Sequence, residues 1–263
     1  MKTKIKLFQV DAFTDRLFHG NPAAVCILDQ WIAADLMQNI ASENNLAETA
    51  FVVRKENDFE IRWFTPAVEV ELCGHATLAA GYVIFKYYNY SFPIVYFYSL
   101  HSGILAVEKK GTFLTLDFPT DIYREVVPSE TLIAALGAVP LKTYRGRTDY
   151  LLHFSTQKEI EDLNPDFDLL STIECGSVIV TAAGVDVDFV SRCFAPQCGI
   201  NEDQVTGSAH TTLIPFWSKM TGRDILSARQ LSKRQGDLQC EYLGDRVKIT
   251  GQAVTYLQGE IEI

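Results

Sequence analysis

The residues best suited to chemistry in this chain precede two apolar runs that begin with glycine. In the first, Cys73 and His75 flank Gly74 within Cys73-Gly-His-Ala-Thr77. The N–H groups of a first helical turn can bind a carboxylate, and glycine leaves room for the ligand. His75 can donate a hydrogen bond or relay a proton, and a helix start can lower the pKa of the Cys73 thiol. The alternatives are structural, namely a capping histidine and a small buried cysteine.

The second glycine start lies at residues 206–208 and mirrors residues 73–75. Ser208 and the amides around Gly207 can bind an anionic or carbonyl group, and Asp203 can hold an ammonium or a hydroxyl. The alternative is that Asp203 only complements the helix dipole and that Ser208 only caps the helix. The match between the halves favours a functional role, because capping needs no counterpart in the other half.

Glu48 lies in a predicted strand, where side chains alternate between the two faces. It therefore shares a face with Ala50 and Val52. A carboxylate on an apolar face is costly to ionise, so its pKa is expected to rise. Such a group can hold a proton near neutral pH and pass it to carbon or oxygen. The alternative is an ordinary charge at the entrance of a strand, pointing to solvent.

An Arg-x-Phe-x-Pro segment precedes each glycine start, at Arg62-Trp-Phe-Thr-Pro66 and at Arg192-Cys-Phe-Ala-Pro196. A chain that repeats one module at this separation is expected to fold as two similar lobes. The two helix starts would then face each other across a cleft suited to a small acidic molecule. The two arginines can pair with a substrate carboxylate or form structural ion pairs.

The hydrophobic pattern predicts strands with one buried central helix in each half. The central helices are predicted over residues 75–87 and 209–220, and a further helix over 31–43. A polar segment beginning at Pro119 marks the boundary between an N-terminal lobe, 1–118, and a C-terminal lobe, 119–263. The last strand can return to either lobe. The predicted fold class is α+β, with two similar pseudo-symmetric lobes, each a sheet wrapped around a central helix.

Composition excludes several classes of function. The 263 residues carry a net charge of −10 without a lysine- or arginine-rich run, which argues against nucleic-acid binding. No signal peptide and no stretch of membrane-spanning length is recognisable. The six cysteines show no Cys-x-x-Cys spacing, so we expect free thiols in the cytoplasm and no metal site. Dinucleotide-binding, phosphate-loop and nucleophile-elbow motifs are not found.

The sequence resembles the PhzF family, the phenazine-biosynthesis isomerase-like proteins, almost from end to end. The motifs that carry the resemblance are Asp11-Ala-Phe13, Gly20-Asn-Pro22, Asn45-Leu-Ala-Glu-Thr49, Phe64-Thr-Pro66, Leu72-Cys-Gly-His-Ala-Thr77, Phe194-Ala-Pro196 and Gly199-Ile-Asn-Glu-Asp-Gln-Val-Thr-Gly-Ser-Ala209. The resemblance implies a fold similar to that of diaminopimelate epimerase, with the site between two like lobes. It also implies no metal or organic cofactor, and a homodimer.

The resemblance also implies roles for individual residues. The family's catalytic acid/base falls on Glu48, and its supporting polar residues fall on His75, Asp203 and Ser208. In the phenazine enzyme the carboxylate moves a proton between ring carbons of a dihydro-hydroxyanthranilate. His75 and Asp203 would then orient the substrate and share proton transfer, and Ser208 would bind its carboxylate.

The main hypothesis is a cofactor-independent isomerase acting on a small carboxylate-bearing substrate whose identity the sequence does not give. One alternative is an amino-acid epimerase or racemase using Glu48 and Cys73. The related epimerases use two cysteines, and the second position here is Thr206, whose hydroxyl is far too weak an acid to replace a thiol. The other alternative is a non-catalytic module that binds a metabolite or a protein.

Overall fold

Both halves of the chain mix strands with helices, so the protein has an α+β fold, as predicted. The structure is a computed structural model that describes residues 4–56 and 58–263. The chain divides into two units, the first made of Met1–Asp117 and Thr250–Ile263 and the second of Phe118–Ile249. Among the described residues, no helix has the length and apolar character needed to cross a bilayer.

The order of elements in the first unit recurs in the second, which adds a strand and a helix at its start and has two short helices in place of one. The first unit contains β1 (Lys4–Ala12), β2 (Asn21–Leu28), α1 (Ala34–Asn44), β3 (Glu48–Lys55), β4 (Asp58–Phe64), β5 (Glu69–Val70), α2 (Gly74–Tyr87), β6 (Ile94–Ser99), β7 (Gly103–Lys110) and β8 (Phe113–Pro119). The second contains β9 (Arg124–Val126), α3 (Glu130–Leu136), β10 (Lys142–Arg145), β11 (Tyr150–His153), α4 (Gln157–Asp162), α5 (Phe167–Ser171), β12 (Val178–Ala183), β13 (Phe189–Ala195), a 3-10 turn (Pro196–Cys198), β14 (Ile200–Asp203), α6 (His210–Thr221), β15 (Ile225–Gln230), β16 (Gly236–Tyr242) and β17 (Arg246–Gly251). The last strand, β18 (Ala253–Glu262), belongs to the first unit.

Strand pairing repeats from one unit to the other. In the first unit β1 pairs antiparallel with β2, β2 parallel with β3, β3 antiparallel with β4, and β4 parallel with β6. In the second unit the same four steps join β10, β11, β12, β13 and β15. The last strand, β18, lies antiparallel to β1, as β9 lies antiparallel to β10. The sequence repeat is therefore a repeat of topology.

Alternation along β3 assigns its side chains to two different helices. Phe51 and Val53 belong to an apolar cluster with residues of α1. The intervening Ala50 and Val52 are fully buried and point to the opposite face, where α2 contacts β1, β2 and β3. By the same alternation the side chain of Glu48 belongs to the α2 face.

The buried helix α2 packs closely enough to require a small residue at Gly81. A Cβ at this position would lie 2.7 Å from Cγ1 and 2.9 Å from Cβ of Val107 on β7. We expect Gly81→Ala to destabilise the protein by about 1–3 kcal/mol, although alanine is the better helix former, because the core is overpacked. Urea unfolding measures this. In a Val107→Ala background the same change should cost less, because the contacts with the two Cγ atoms are removed while the contact with Cβ remains. An equal cost in both backgrounds would contradict the packing explanation.

In the second unit the sheet is covered by helices on both faces. Val178, Val180 and Ala182 of β12 pack in one cluster with residues of α3, α4 and α5. On the opposite face Trp217 of α6 donates from Nε1 to the hydroxyl of Thr181 at 2.9 Å. Helix α6 thus takes the place in this unit that α2 takes in the first.

The two Arg-x-Phe-x-Pro segments form the same ion pair. Nε and Nη2 of Arg62 donate to the two carboxylate oxygens of Glu69, each at 2.6 Å. Nε and Nη2 of Arg192 donate to those of Glu202 at 2.7 and 3.0 Å. Each guanidinium also lies over the phenylalanine ring two residues further on. Of the two roles considered for these arginines, the structural ion pair is the one observed.

The first helix begins three residues later than its periodicity predicts. The indole Nε1 of Trp31 donates to Glu60 at 2.6 Å, and Trp31 and Ile32 pack against the α1 cluster from outside the helix. Tertiary contacts bury these apolar side chains although they lie outside the helix. The apolar periodicity therefore begins before the first residue of the helix.

Candidate active site

Glu48 is the first residue of β3 and lies opposite Ala23 of β2. Its side chain is 15% exposed, and its Oε2 lies 3.2 Å from Nε2 of His75, which is 4% exposed. The strand start and the second residue of α2 therefore bring a carboxylate and an imidazole into contact. The solvent-facing alternative for Glu48 does not fit this geometry.

The other ring nitrogen of His75 also has neighbours. Nδ1 lies 3.2 Å from Nδ2 of Asn21 and 3.5 Å from Sγ of Cys73. Asn21 and Cys73 thus contact one ring nitrogen of His75, and Glu48 contacts the other. The imidazole therefore lies between the Glu48 carboxylate and the Asn21 amide.

The loop before β2 fixes the position of Asn21. Gly20 has φ +64°, and a Cβ there would lie 2.1 Å from the carbonyl oxygen of Ala12. The carboxylate of Asp11 accepts the backbone N–H of Phe18 at 3.0 Å, which holds the loop in place. The turn at Gly20 places Asn21 against the imidazole.

Helix α2 starts without a side-chain cap. Cys73 is its N-cap residue, and the carbonyl of Cys73 accepts both the N–H and the hydroxyl of Thr77, at 3.2 and 2.6 Å. The N–H groups of residues 74–76 precede the first hydrogen bond of the helix. They lie at the end of α2 where His75 contacts Glu48. Gly74 is therefore at a position suited to a carboxylate ligand, as predicted for a helix start.

Glu48, Cys73 and His75 form a compact group. A carboxylate oxygen, the thiol and an imidazole nitrogen lie within 4.8 Å of one another, a set of donors that can hold a divalent metal. The spacing of histidines and cysteines along the sequence does not predict this group, because Glu48 is far from Cys73 and His75 along the chain. The expected absence of a metal stays a prediction.

The candidate residues of the second unit lie between the end of β14 and the start of α6. We call residues 203–208 the Asp203 half-site. The hydroxyl of Thr206 donates to Oδ2 of Asp203 at 2.7 Å. Gly207 is buried, whereas Ser208 is exposed and its carbonyl accepts the N–H of Thr211 at 3.0 Å. This unit therefore places Asp203 beside Thr206, while the Ser208 side chain is presented to solvent.

His210 follows this turn as the first residue of α6 and is fully buried. Its Nδ1 donates to the carbonyl of Thr206 at 2.8 Å, which places the lone pair on Nε2. The buried Nε2 has no hydrogen-bond partner within the described residues. Burial lowers the pKa of His210 to about 4, and the bond to the Thr206 carbonyl acts in the opposite direction. His210 is thus a neutral side chain that stabilises the turn by its hydrogen bond to the carbonyl of Thr206.

Comparison with known proteins gives a consistent relationship over the whole chain. The family of phenazine biosynthesis-like proteins, PhzC-PhzF, matches residues 10–259. The chain belongs to this family. It is 45% identical over 260 residues to an uncharacterised isomerase of Pseudomonas aeruginosa, covering 99% of this chain and 100% of the relative.

Solved structures extend the relationship. A PhzF family protein of Enterococcus faecalis is 44% identical, with a TM-score of 0.96 over 99% of this chain and 100% of its own. A hydroxyproline epimerase of Agrobacterium vitis shares the fold, with a TM-score of 0.64 at 10% identity over 100% of this chain and 94% of its own. The predicted family and the epimerase-like fold are both confirmed.

In this PhzF family member, the strand register shows that the position in the second unit that corresponds to Glu48 is not a glutamate. Arg62 lies opposite Phe51 in the first unit, and Arg192 lies opposite Val180 in the second. Counting back three residues from each partner reaches Glu48 in one unit and the residue at position 177, a serine, in the other. Corresponding positions of the two units therefore carry different chemistry.

Proposed function

We propose that this protein is a cofactor-independent isomerase that moves a proton on a small carboxylate-bearing molecule. Glu48 is the general acid/base in this proposal. The observation that carries it is the contact of Glu48 with His75, 3.2 Å apart beside the start of α2. The isomerase names of relatives that match the chain over its full length support the same reaction class.

The proposed proton transfer needs no co-reactant. The carboxylate of Glu48 takes a proton from a substrate carbon, and the electron pair of the broken C–H bond enters the conjugated system of the substrate. The same carboxyl group then returns the proton to another carbon on the same face, and a new C–H bond forms. His75 holds the carboxylate in place through Nε2, and the N–H groups near Gly74 can bind the substrate carboxylate.

The family resemblance assigns substrate orientation to His75 and Asp203 and carboxylate binding to Ser208. The amides around Gly207 can bind an anionic or carbonyl group. It also suggests trans-2,3-dihydro-3-hydroxyanthranilate as the first molecule to try. The true substrate is expected to share its small size and its carboxylate. Cofactor independence, a cytoplasmic location and a homodimer remain predictions from the resemblance.

The test is a panel of cyclic and amino carboxylates, including this compound, incubated with the protein in D₂O. Mass spectrometry and NMR would detect solvent deuterium at carbon and any isomerised product. Thermal shift on the same panel reports binding without chemistry. Ligand-dependent stabilisation with neither exchange nor turnover across the panel would favour a binding module and contradict the proposal.

An amino-acid racemase is the second candidate, because Sγ of Cys73 lies 3.5 Å from Nδ1 of His75. If the isomerase proposal holds, Cys73→Ser should keep turnover within about threefold, because the small side chain is retained and Glu48 is untouched. A racemase would lose α-carbon deuterium exchange on amino acids, since serine is a far weaker acid than cysteine. Cys26→Ser is the matched control: this thiol is also buried in the first unit, and burial raises its pKa to about 12.

A further inference from the structure

A buried glutamine from a distant strand holds the Asp203 half-site together. Gln230 is the last residue of β15 and is fully buried. Its Oε1 accepts the backbone N–H of Thr206 at 2.8 Å, and its Nε2 donates to the backbone carbonyl of Asp203 at 2.8 Å. One side chain therefore bridges both ends of the segment 203–206.

These two backbone contacts fix the orientation of the amide. A backbone N–H can only donate and a carbonyl oxygen can only accept, so the oxygen of Gln230 must face Thr206 and its nitrogen must face Asp203. The second N–H of Nε2 then points to Oγ1 of Thr206, 3.0 Å away. Gln230 is a donor to this hydroxyl in the only orientation that satisfies the backbone.

The Thr206 hydroxyl continues this network to Asp203. Its oxygen accepts from Nε2 of Gln230, and it donates to Oδ2 of Asp203, 2.7 Å away. Oδ2 of Asp203 is therefore the acceptor of the last hydrogen bond in the network.

We propose that Gln230 is a positioning residue that acts through Thr206 to keep Asp203 a hydrogen-bond acceptor. The half-site then selects ligands that present a donor, an ammonium or a hydroxyl group, in addition to a carboxylate. This inference rests on the proposed function, because it assumes that Asp203 contacts the substrate.

Two substitutions separate polarity from shape. Gln230→Glu keeps the shape and the acceptor for the Thr206 N–H but removes both N–H donors, so the Thr206 hydroxyl is free to turn away from Asp203. Thr206→Val removes the relay hydroxyl at nearly constant volume and remains informative if the buried glutamate prevents folding. Thr206→Ser keeps the hydroxyl and should behave like wild type. Gln239→Glu makes the same charge change at an exposed position of β16.

The probes are 3-hydroxyanthranilate and benzoate, ring carboxylates with and without the N–H and O–H donors. Calorimetry should show that wild type prefers the first by about ten- to hundredfold, the range for a hydrogen bond to a charged group. Thr206→Val and Gln230→Glu should reduce this preference to less than about threefold by weakening 3-hydroxyanthranilate alone. Thr206→Ser and Gln239→Glu should keep it. A preference that persists in Thr206→Val would overturn the inference.

The structural part of the inference has its own readout. Crystal structures of Thr206→Val and Gln230→Glu should show the Asp203 carboxylate displaced, and that of Thr206→Ser should show it in place. An undisplaced carboxylate in the first two variants would overturn the positioning role even if wild type binds neither probe. Absence of binding by wild type, with the carboxylate displaced as expected, would instead count against the proposed function.

Discussion

Glu48→Gln is expected to lower turnover of the true substrate by about a thousandfold, the middle of the range for loss of a general acid/base. The amide of the glutamine variant cannot take a proton from carbon. Its oxygen can still contact Nε2 of His75, as the Glu48 carboxylate does at 3.2 Å in wild type. Fold and ligand affinity should therefore remain close to wild type. Turnover and solvent deuterium exchange measure the loss, and thermal shift with bound ligand measures what is retained.

Two further variants sharpen this experiment. Glu48→Asp keeps the carboxylate but withdraws it by one methylene, so turnover should fall less than in the glutamine variant. Glu43→Gln changes an exposed carboxylate on α1 in the same unit and should leave turnover unchanged. A glutamine variant that retains most of the wild-type activity on the true substrate would remove Glu48 from the mechanism.

The position of Glu48 follows from local rules that operate in a single strand. Alternation predicts that it shares a face with Ala50 and Val52, and both of these are fully buried on the α2 side. The glycine start at residues 73–75 likewise predicts a helix, and α2 begins at Gly74. Once both elements are known, the contact of Glu48 with His75 needs only that α2 lie on that face of the sheet.

The supporting residues were not predictable in the same way. Asn21 reaches His75 because a loop with a left-handed glycine folds back to β1, and a turn motif does not say which side chain it will present. Gln230 lies on β15, 24 residues from Thr206 along the chain. A single buried glutamine has no periodicity, so its role emerges only from tertiary hydrogen bonds.

The asymmetry of the repeat bears on the type of reaction. A racemase that removes a proton from one face of a carbon and returns one to the other face needs two acid/base groups. Here Cys73 corresponds to Thr206, and Glu48 corresponds to a serine at position 177. A hydroxyl is a poor proton donor and acceptor at neutral pH, so the acid/base candidates among these four positions, Glu48 and Cys73, both belong to the first unit. That favours removal and return of a proton on one face of the substrate, which is a shift rather than an inversion.

Acidification is expected to destabilise the second unit through His210. Burial lowers the pKa of this imidazole to about 4, whereas an unfolded histidine titrates near 6.5. Between these values the unfolded chain binds a proton that the folded chain does not, so stability rises with pH across this window and is lost as pH falls through it. The two values correspond to about 3 kcal/mol of unfolding free energy lost between pH 7 and pH 4.

His210→Asn isolates this contribution, because its amide can still donate to the carbonyl of Thr206 but does not titrate. The smaller side chain should make the variant less stable than wild type at pH 7, by about 1–3 kcal/mol. Urea unfolding of both proteins from pH 7 to pH 4 should then show the gap closing by about 3 kcal/mol, with the contribution of carboxylates cancelling in the difference. NMR of the imidazole nitrogens provides the independent check. If the His210 ring takes up its proton near pH 6.5 in the folded protein, this side chain is open to water. The predicted pH dependence of stability would then be absent.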